Sequence, residues 1–402
     1  MAHSTMVRLL AARSLNTFGR AIISSTINFE LWERTHSKLV IAAIGGVQVL
    51  PVIALFVHAG AFVDRTDRRR VTTAAAATLG GIGLALAMAS YYAAPIAVFL
   101  AVLAVNGAVT AIHAPASSSL LPLILPREDL ERTNRYGATL QELAVIIAPA
   151  LAGLALAIVI PSAIYAAVAV TGVASAIAYR SLPPPRAVAE SAATAARRDW
   201  RTGLRFIFRS PLLLPALTLD MFAVLFAGVT SLLSVVSTDV LGMGSMGYGF
   251  LRAAQSMGAV LMALVGGRLK PWPRPGRTLL IVVALFGLVT VGFGLSRWFP
   301  LSMALLVVMG ALDNISVVIR LTLEQMVVPD AIRGRVSAVH YVFIGMSNEL
   351  GSAESGAAAW LVGTVPAIVA GGAIAVVVVG WVAHRWRAFA QMPPLAQLRP
   401  DE

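Results

Sequence analysis

A few ionisable side chains lie inside long stretches that are otherwise almost free of charge: Arg20, Glu30, Glu142, Asp220, Asp313, Arg320, Glu324, Glu349 and Glu354. Ionisable groups in such surroundings are costly, and each is held by a partner or faces a cavity. The chemistry open to them is charge neutralisation, ligand recognition, or uptake and release of a proton. Asp313 lies midway along its stretch. Loss of water there favours the neutral acid, which suits a proton carrier. Asp220, Glu349 and Glu142 are further proton-coupling candidates, and structural pairing stays open for each. Asn16, Arg20 and Ser24 recur at i, i+4 and i+8 and share one helix face. Arg20 can be a cationic spot for an anionic ligand, a partner that tunes an acid, or half of a structural pair with Glu142 or Asp313. Asp313 and Arg320 are seven residues apart, roughly 10 Å along a helix axis, so each should find its partner on another segment. Glu324, four residues beyond Arg320, is expected to pair with it. Asn28, Glu30, Asn106, His113 and Asn314 complete the polar set that a ligand could meet. Glu30, beside Phe29 and Trp32, can also reach water at a membrane edge, and His113 reads equally as a packed, hydrogen-bonded histidine.

Enzymatic alternatives find no residues to carry them. The chain has no cysteine, which removes disulfides, thiolate chemistry and cysteine metal sites. Its only lysines, Lys38 and Lys270, stand in no phosphate-binding Gly-x-x-x-x-Gly-Lys-[Ser/Thr] loop, and there is no His-Glu-x-x-His. No catalytic residues, cofactor or metal are expected.

The elements that must position these groups are apolar helices. Of 402 residues, 58% are hydrophobic and 12% charged, against about 25% charged in a soluble domain. Runs long enough to cross a bilayer, which takes roughly 20 residues, occur at 9–32, 39–62, 71–92, 95–124, 136–159, 162–181, 212–237, 246–267, 278–296, 299–326, 336–361 and 364–384. The fold class is an all-α polytopic membrane protein of twelve transmembrane helices. No removable signal peptide is read at the start, because no small-residue cleavage site follows the first apolar run. With both termini cytoplasmic, Lys and Arg sort to the inner side. The exceptions are Arg34, Lys38, Arg252 and Arg297 outside, and Arg13, Arg20 and Arg320 within spans. The net charge of +12 is therefore a loop property, and no nucleic-acid partner is expected.

Four segments follow: a six-helix bundle at 1–181, a linker at 182–211, a second six-helix bundle at 212–384, and a tail at 385–402. The linker opens with Pro183-Pro184-Pro185 and then places Arg201, Arg205 and Arg209 on one face of an amphipathic helix suited to a membrane surface. The halves repeat. The interval from Pro126 to Pro329 equals that from Arg132 to Arg335. Two parallel six-helix halves would place a binding site between them near the midplane.

Gly60-Ala61-Phe62-Val63-Asp64-Arg65-Thr66-Asp67-Arg68-Arg69-Arg70 joins the second and third runs. It resembles the Gly-x-x-x-Asp-Arg-x-x-Arg-Arg signature of major facilitator superfamily transporters, with Asp67 where that family usually has Gly. The resemblance implies two pseudo-symmetric bundles, a cytoplasmic gate made by Gly60, Asp64, Arg65, Arg68 and Arg69, and a cavity lined by spans one, four, seven and ten. The second half offers only Gly266-Gly267-Arg268-Leu269-Lys270, without the acid. His113-Ala114-Pro115-Ala116, Gly247-Tyr248-Gly249 and Ser347-Asn348-Glu349-Leu350-Gly351 resemble the branch of enterobactin-type siderophore exporters and macrolide efflux proteins. Ala148, Pro149 and Gly153 resemble the antiporter signature, with alanine replacing glycine at three positions, and this implies export. The charged residue that many drug exporters of the family carry in span four is missing from 95–126. What the resemblance implies is a monomeric, proton-coupled exporter of a small amphipathic or anionic molecule in a bacterial inner membrane. Its partners would be the lipid bilayer, the substrate and protons. A lipid or lysolipid flippase on the same fold is the alternative.

Overall fold

A computed structural model describes residues 2–185, 200–266, 272–329 and 332–398. Within them all regular structure is helical. The first half contributes α1 (Ala2–Thr35), α2 (Lys38–Arg65), α3 (Arg68–Tyr91), α4 (Ile96–Ile124), α5 (Arg127–Ala155) and α6 (Pro161–Arg180). A short α7 (Trp200–Arg209) is followed by α8 (Leu213–Ala227), α9 (Gly244–Gly266), α10 (Pro275–Leu295), α11 (Phe299–Val327), α12 (Arg333–Val362) and α13 (Thr364–Arg385). Among the described residues, nine helical segments are long and apolar enough to cross a membrane. The other long helices, α1, α5 and α12, carry Arg20, Glu30, Glu142 and Glu349. The apolar run at 212–237 is not one regular helix. Gly228, at φ −75° and ψ 94°, ends α8, and a 3₁₀ turn (Val229–Leu232) and a π turn (Val236–Val240) continue the path.

The chain divides into two compact units. The first holds Met1–His36, Ala43–Ala189 and Met243–Ala253; the second holds Ser37–Ala42, Glu190–Gly242 and Ala254–Glu402. In the first unit α1 packs on α5 and α6, and α3 on α4 and α6. Its buried core runs through Leu9, Ala76, Leu120, Leu121 and Tyr179. In the second unit α10 packs on α11 and α13, and α8 lies against α12 and α13. Leu219, Leu279, Ile319, Leu323 and Val382 form its core.

The arginine-rich turn is fastened by its own polar groups. Asp67 is the N-cap of α3: its carboxylate accepts from the backbone N–H of Arg69 at 2.9 Å and of Arg70 at 3.4 Å. A capping acid also suits the positive end of a helix dipole, so the departure from the family's glycine has a local purpose. Arg69 donates to the carbonyl of Leu182 at 2.6 Å, and Arg8 to that of Ser181 at 3.2 Å. Both cations thus serve carbonyls just past the end of α6, where a helix leaves acceptors unsatisfied. The surroundings of Gly60 and the side chains of Asp64 and Arg65 lie outside the described residues. Helix α7 exposes Arg201, Arg205, Phe208 and Arg209 while burying Gly203 and Ile207 against the second unit.

Candidate substrate and proton sites

In the first unit the expected face of α1 becomes a hydrogen-bonded cluster. Arg20 donates through Nε to Asn16 Oδ1 at 2.9 Å, and through Nη1 to Asn106 Oδ1 of α4 at 3.1 Å and to Thr110 Oγ1. Asn106 is oriented by α2, since its Nδ2 donates to Gln48 Oε1 at 3.0 Å. Every partner is neutral. Among the described residues Arg20 has no carboxylate within ion-pair distance, and the side chain of Glu142 lies outside them. Among the described residues, two buried donors in the cluster, Arg20 Nη2 and Asn16 Nδ2, have no hydrogen-bond acceptor. A guanidinium with neutral neighbours and spare donors has the chemistry to take an anion, because an unpaired buried donor is worth satisfying. His113 borders the same helix: its Nε2 lies 3.4 Å from the hydroxyl of Tyr179, which also meets Ser117 Oγ at 3.2 Å. Asn28 is buried away from the cluster and donates to Ser24 O at 2.7 Å.

In the second unit Arg320 of α11 forms an ion pair with Asp220 of α8, and donates to Ser316 Oγ at 3.0 Å. Both charged side chains are more than nine-tenths buried. A small cavity of about 20 Å³, room for little more than a water, is lined by Asp220, Asp313, Ser316 and Arg320 with apolar neighbours. Asp313, unlike Asp220, is exposed in the chain. The structure therefore brings Asp220, Asp313 and Arg320 to one place. Asn314 is half-buried on the same helix, and Glu349 is half-buried on α12. Glu324, for which Arg320 was the expected partner, meets the imidazole Nδ1 of His340 on α12. Both members of that pair are buried, and sequence reading assigned His340 nothing.

Arg252, which sequence sorting counts on the outer side of the run 246–267, is a buried packing residue: it lies two turns inside α9, is 7% exposed, and donates to Ser25 Oγ at 2.8 Å. The reason is packing. Tyr248 is fully buried, stacks on Phe29 at 5.1 Å, and donates to the carbonyl of Ser25 at 2.8 Å. One turn on, Arg252 follows it against α1. Gly153 permits this approach: a Cβ there would stand 2.8 Å from the Cα of Gly249. Of the antiporter-like residues, Ala148 is buried and Pro149 lies within α5. The signal was present in Gly247-Tyr248-Gly249, which sequence reading took only as a family resemblance and not as a packing site.

A family model for the Major Facilitator Superfamily matches residues 9–352, and the chain belongs to that family of membrane transport proteins. It is thus a multi-pass membrane protein, and its relatives are transporters, not enzymes. It is similar to the enterobactin exporter EntS of Shigella flexneri, 25% identical over 406 residues, covering 98% of this chain and 95% of that protein. It is also similar to macrolide efflux protein A of Streptococcus pyogenes, 30% identical over 145 residues; the match covers 36% of this chain and only 36% of that protein's length. Among solved structures, an inward-facing, occupied bacterial homolog of the human lysosomal transporter Spinster aligns with TM-score 0.72 at 14% identity, covering 96% of this chain and 97% of that one. A D-xylose–proton symporter aligns at TM-score 0.67, also at 14% identity, covering 94% of this chain and 95% of that one. These two show the fold alone.

Proposed function

We propose that the protein is a proton-coupled exporter of a small anionic or amphipathic molecule, working by alternating access as a monomer in a bacterial inner membrane with both termini cytoplasmic. The observation that carries this reading is the Arg20 cluster: among the described residues, a buried cation held by neutral groups, with two donors left over. Resemblance along the whole chain to an enterobactin exporter supports export and a siderophore-like substrate. The shorter match to a macrolide efflux protein keeps drugs in view. Asp313, beside the Asp220–Arg320 pair, is the favoured proton carrier. Protonating it would weaken its pull on Arg320 and so favour one arrangement of the spans over the other. Asp64, Arg65, Arg68 and Arg69 would then gate the cytoplasmic side.

The test is transport of enterobactin and of a macrolide into everted vesicles by the wild type, Arg20→Lys and Arg20→Gln. Removing a charge-assisted contact should slow the anionic substrate roughly tenfold or more in Arg20→Gln, with partial recovery in Arg20→Lys. Wild-type enterobactin rates in Arg20→Gln, at equal protein levels, would refute the assignment of Arg20.

A further inference from the structure

The short helix α7 has no part in the transport reading, yet its two faces differ sharply. Its sequence, from Trp200 to Arg209, carries three arginines and no acid. One face is a seat. Ile207 is buried in the core of the second unit, with Leu204 and Phe206 packed beside it. Gly203 is buried against the start of α12: a Cβ there would stand 2.7 Å from the carbonyl oxygen of Arg335 and 3.1 Å from the nitrogen of Val336. A larger residue would lift α7 off α12, which accounts for a glycine where helix propensity disfavours one. The far end of α7 is fixed as well. Ser210 is 4% exposed; its N–H donates to the carbonyl of Phe206 at 2.9 Å, and its hydroxyl accepts from the N–H of Leu213 at 3.2 Å. The helix is therefore docked on the second unit and joined to α8 by a defined elbow.

The other face points away from that seat. Arg201, Arg205 and Arg209 are exposed and recur at i, i+4 and i+8. Among the described residues, Arg205 and Arg209 make no hydrogen bond or ion pair through their side chains. Phe208 borders the arginines on the same side and is 58% exposed. The segment Leu213–Val240, long and apolar enough to cross a membrane, begins after three further residues. The exposed face of α7 thus stands where a bilayer changes from hydrocarbon to headgroups. Cations beside an exposed aromatic ring at that level match an anionic headgroup and the top of its acyl chains. A soluble phosphate compound would engage the arginines and leave Phe208 in water.

We propose that α7 is a docking site for an anionic phospholipid, whose phosphate Arg205 and Arg209 hold while Phe208 sits among the acyl chains. This site requires only that the chain is a membrane protein, and it stands apart from the export reading.

The experiment is native mass spectrometry of the purified full-length protein, titrated with phosphatidylglycerol and with phosphatidylcholine of the same acyl chains. A cation near a membrane surface raises affinity for anionic lipid about fivefold. Arg205→Gln/Arg209→Gln should therefore weaken phosphatidylglycerol binding roughly tenfold or more and leave phosphatidylcholine binding unchanged. Phe208→Ala keeps every charge and should weaken phosphatidylglycerol binding several-fold. Arg274→Gln/Arg277→Gln removes two other exposed arginines of the second unit and should have a much smaller effect. All five side chains are exposed, so the variants should stay monodisperse. Wild-type phosphatidylglycerol binding in Arg205→Gln/Arg209→Gln overturns the proposal, as does unchanged binding in Phe208→Ala. An equal loss in Arg274→Gln/Arg277→Gln also overturns it, because net charge alone would then be acting. Full competition by glycerophosphoglycerol, the headgroup without acyl chains, overturns the lipid assignment in favour of soluble phosphate compounds.

Discussion

Replacing Asp220 by alanine should strip a buried cation of the carboxylate it is paired with, leaving Asp313 as the nearby acid. Arg320 and Asp220 are 6% and 9% exposed, so neither can turn to water without moving its helix. Removing one member of such a pair typically costs about 3–5 kcal/mol, because the survivor stays buried and uncompensated. Ser316 Oγ would still accept from Arg320 Nη1 at 3.0 Å, which places the loss at the lower end. A cost of about 3 kcal/mol lowers the folded-to-unfolded ratio by roughly two powers of ten. In Asp220→Ala/Arg320→Met both charges go and an apolar chain fills the arginine's place. That double variant should recover at least about 2 kcal/mol relative to Asp220→Ala, because no charge is left stranded. Reversible unfolding in mixed micelles of rising dodecyl sulfate content, run as a double-mutant cycle, measures the coupling. If the double variant loses the sum of the two single losses, within about 0.5 kcal/mol, the pair is not coupled and the reasoning fails.

Other consequences are local. Asp67→Ala removes the N-cap of α3 and should cost about 1 kcal/mol in the same unfolding assay, with Asp67→Asn losing much less. Gly153→Leu should yield poorly folded protein by size-exclusion profile, because even a Cβ would meet the Gly249 backbone at 2.8 Å; Gly81→Ala, which faces open space, should behave as wild type.

The helical plan was legible because hydropathy and loop charge are local properties of the chain. The break at Gly228 was not, since α8 and the 3₁₀ and π turns beyond it share one uninterrupted apolar composition. The Asn16–Arg20 contact was readable because helix geometry alone joins positions i and i+4. Periodicity carries no information about which helices meet. That left Arg320 assigned to Glu324 beside it, where the structure supplies Asp220 from α8, and left His340 unassigned although it holds Glu324. The burial of Arg252 was missed for the same reason. A cation near a helix end looks external until the tyrosine one turn before it is seen buried against α1.

Proton coupling through the acids of the second unit is the central claim, and gradient-driven transport tests it most directly. Everted vesicles carrying wild type or Asp313→Asn, at matched expression, are given an inward-acid pH gradient and then an uncoupler. The account predicts rapid accumulation of substrate in wild-type vesicles, collapse of that accumulation with the uncoupler, and no gradient-driven accumulation in Asp313→Asn. Undiminished accumulation in Asp313→Asn, or wild-type transport that persists after the gradient is gone, would contradict it.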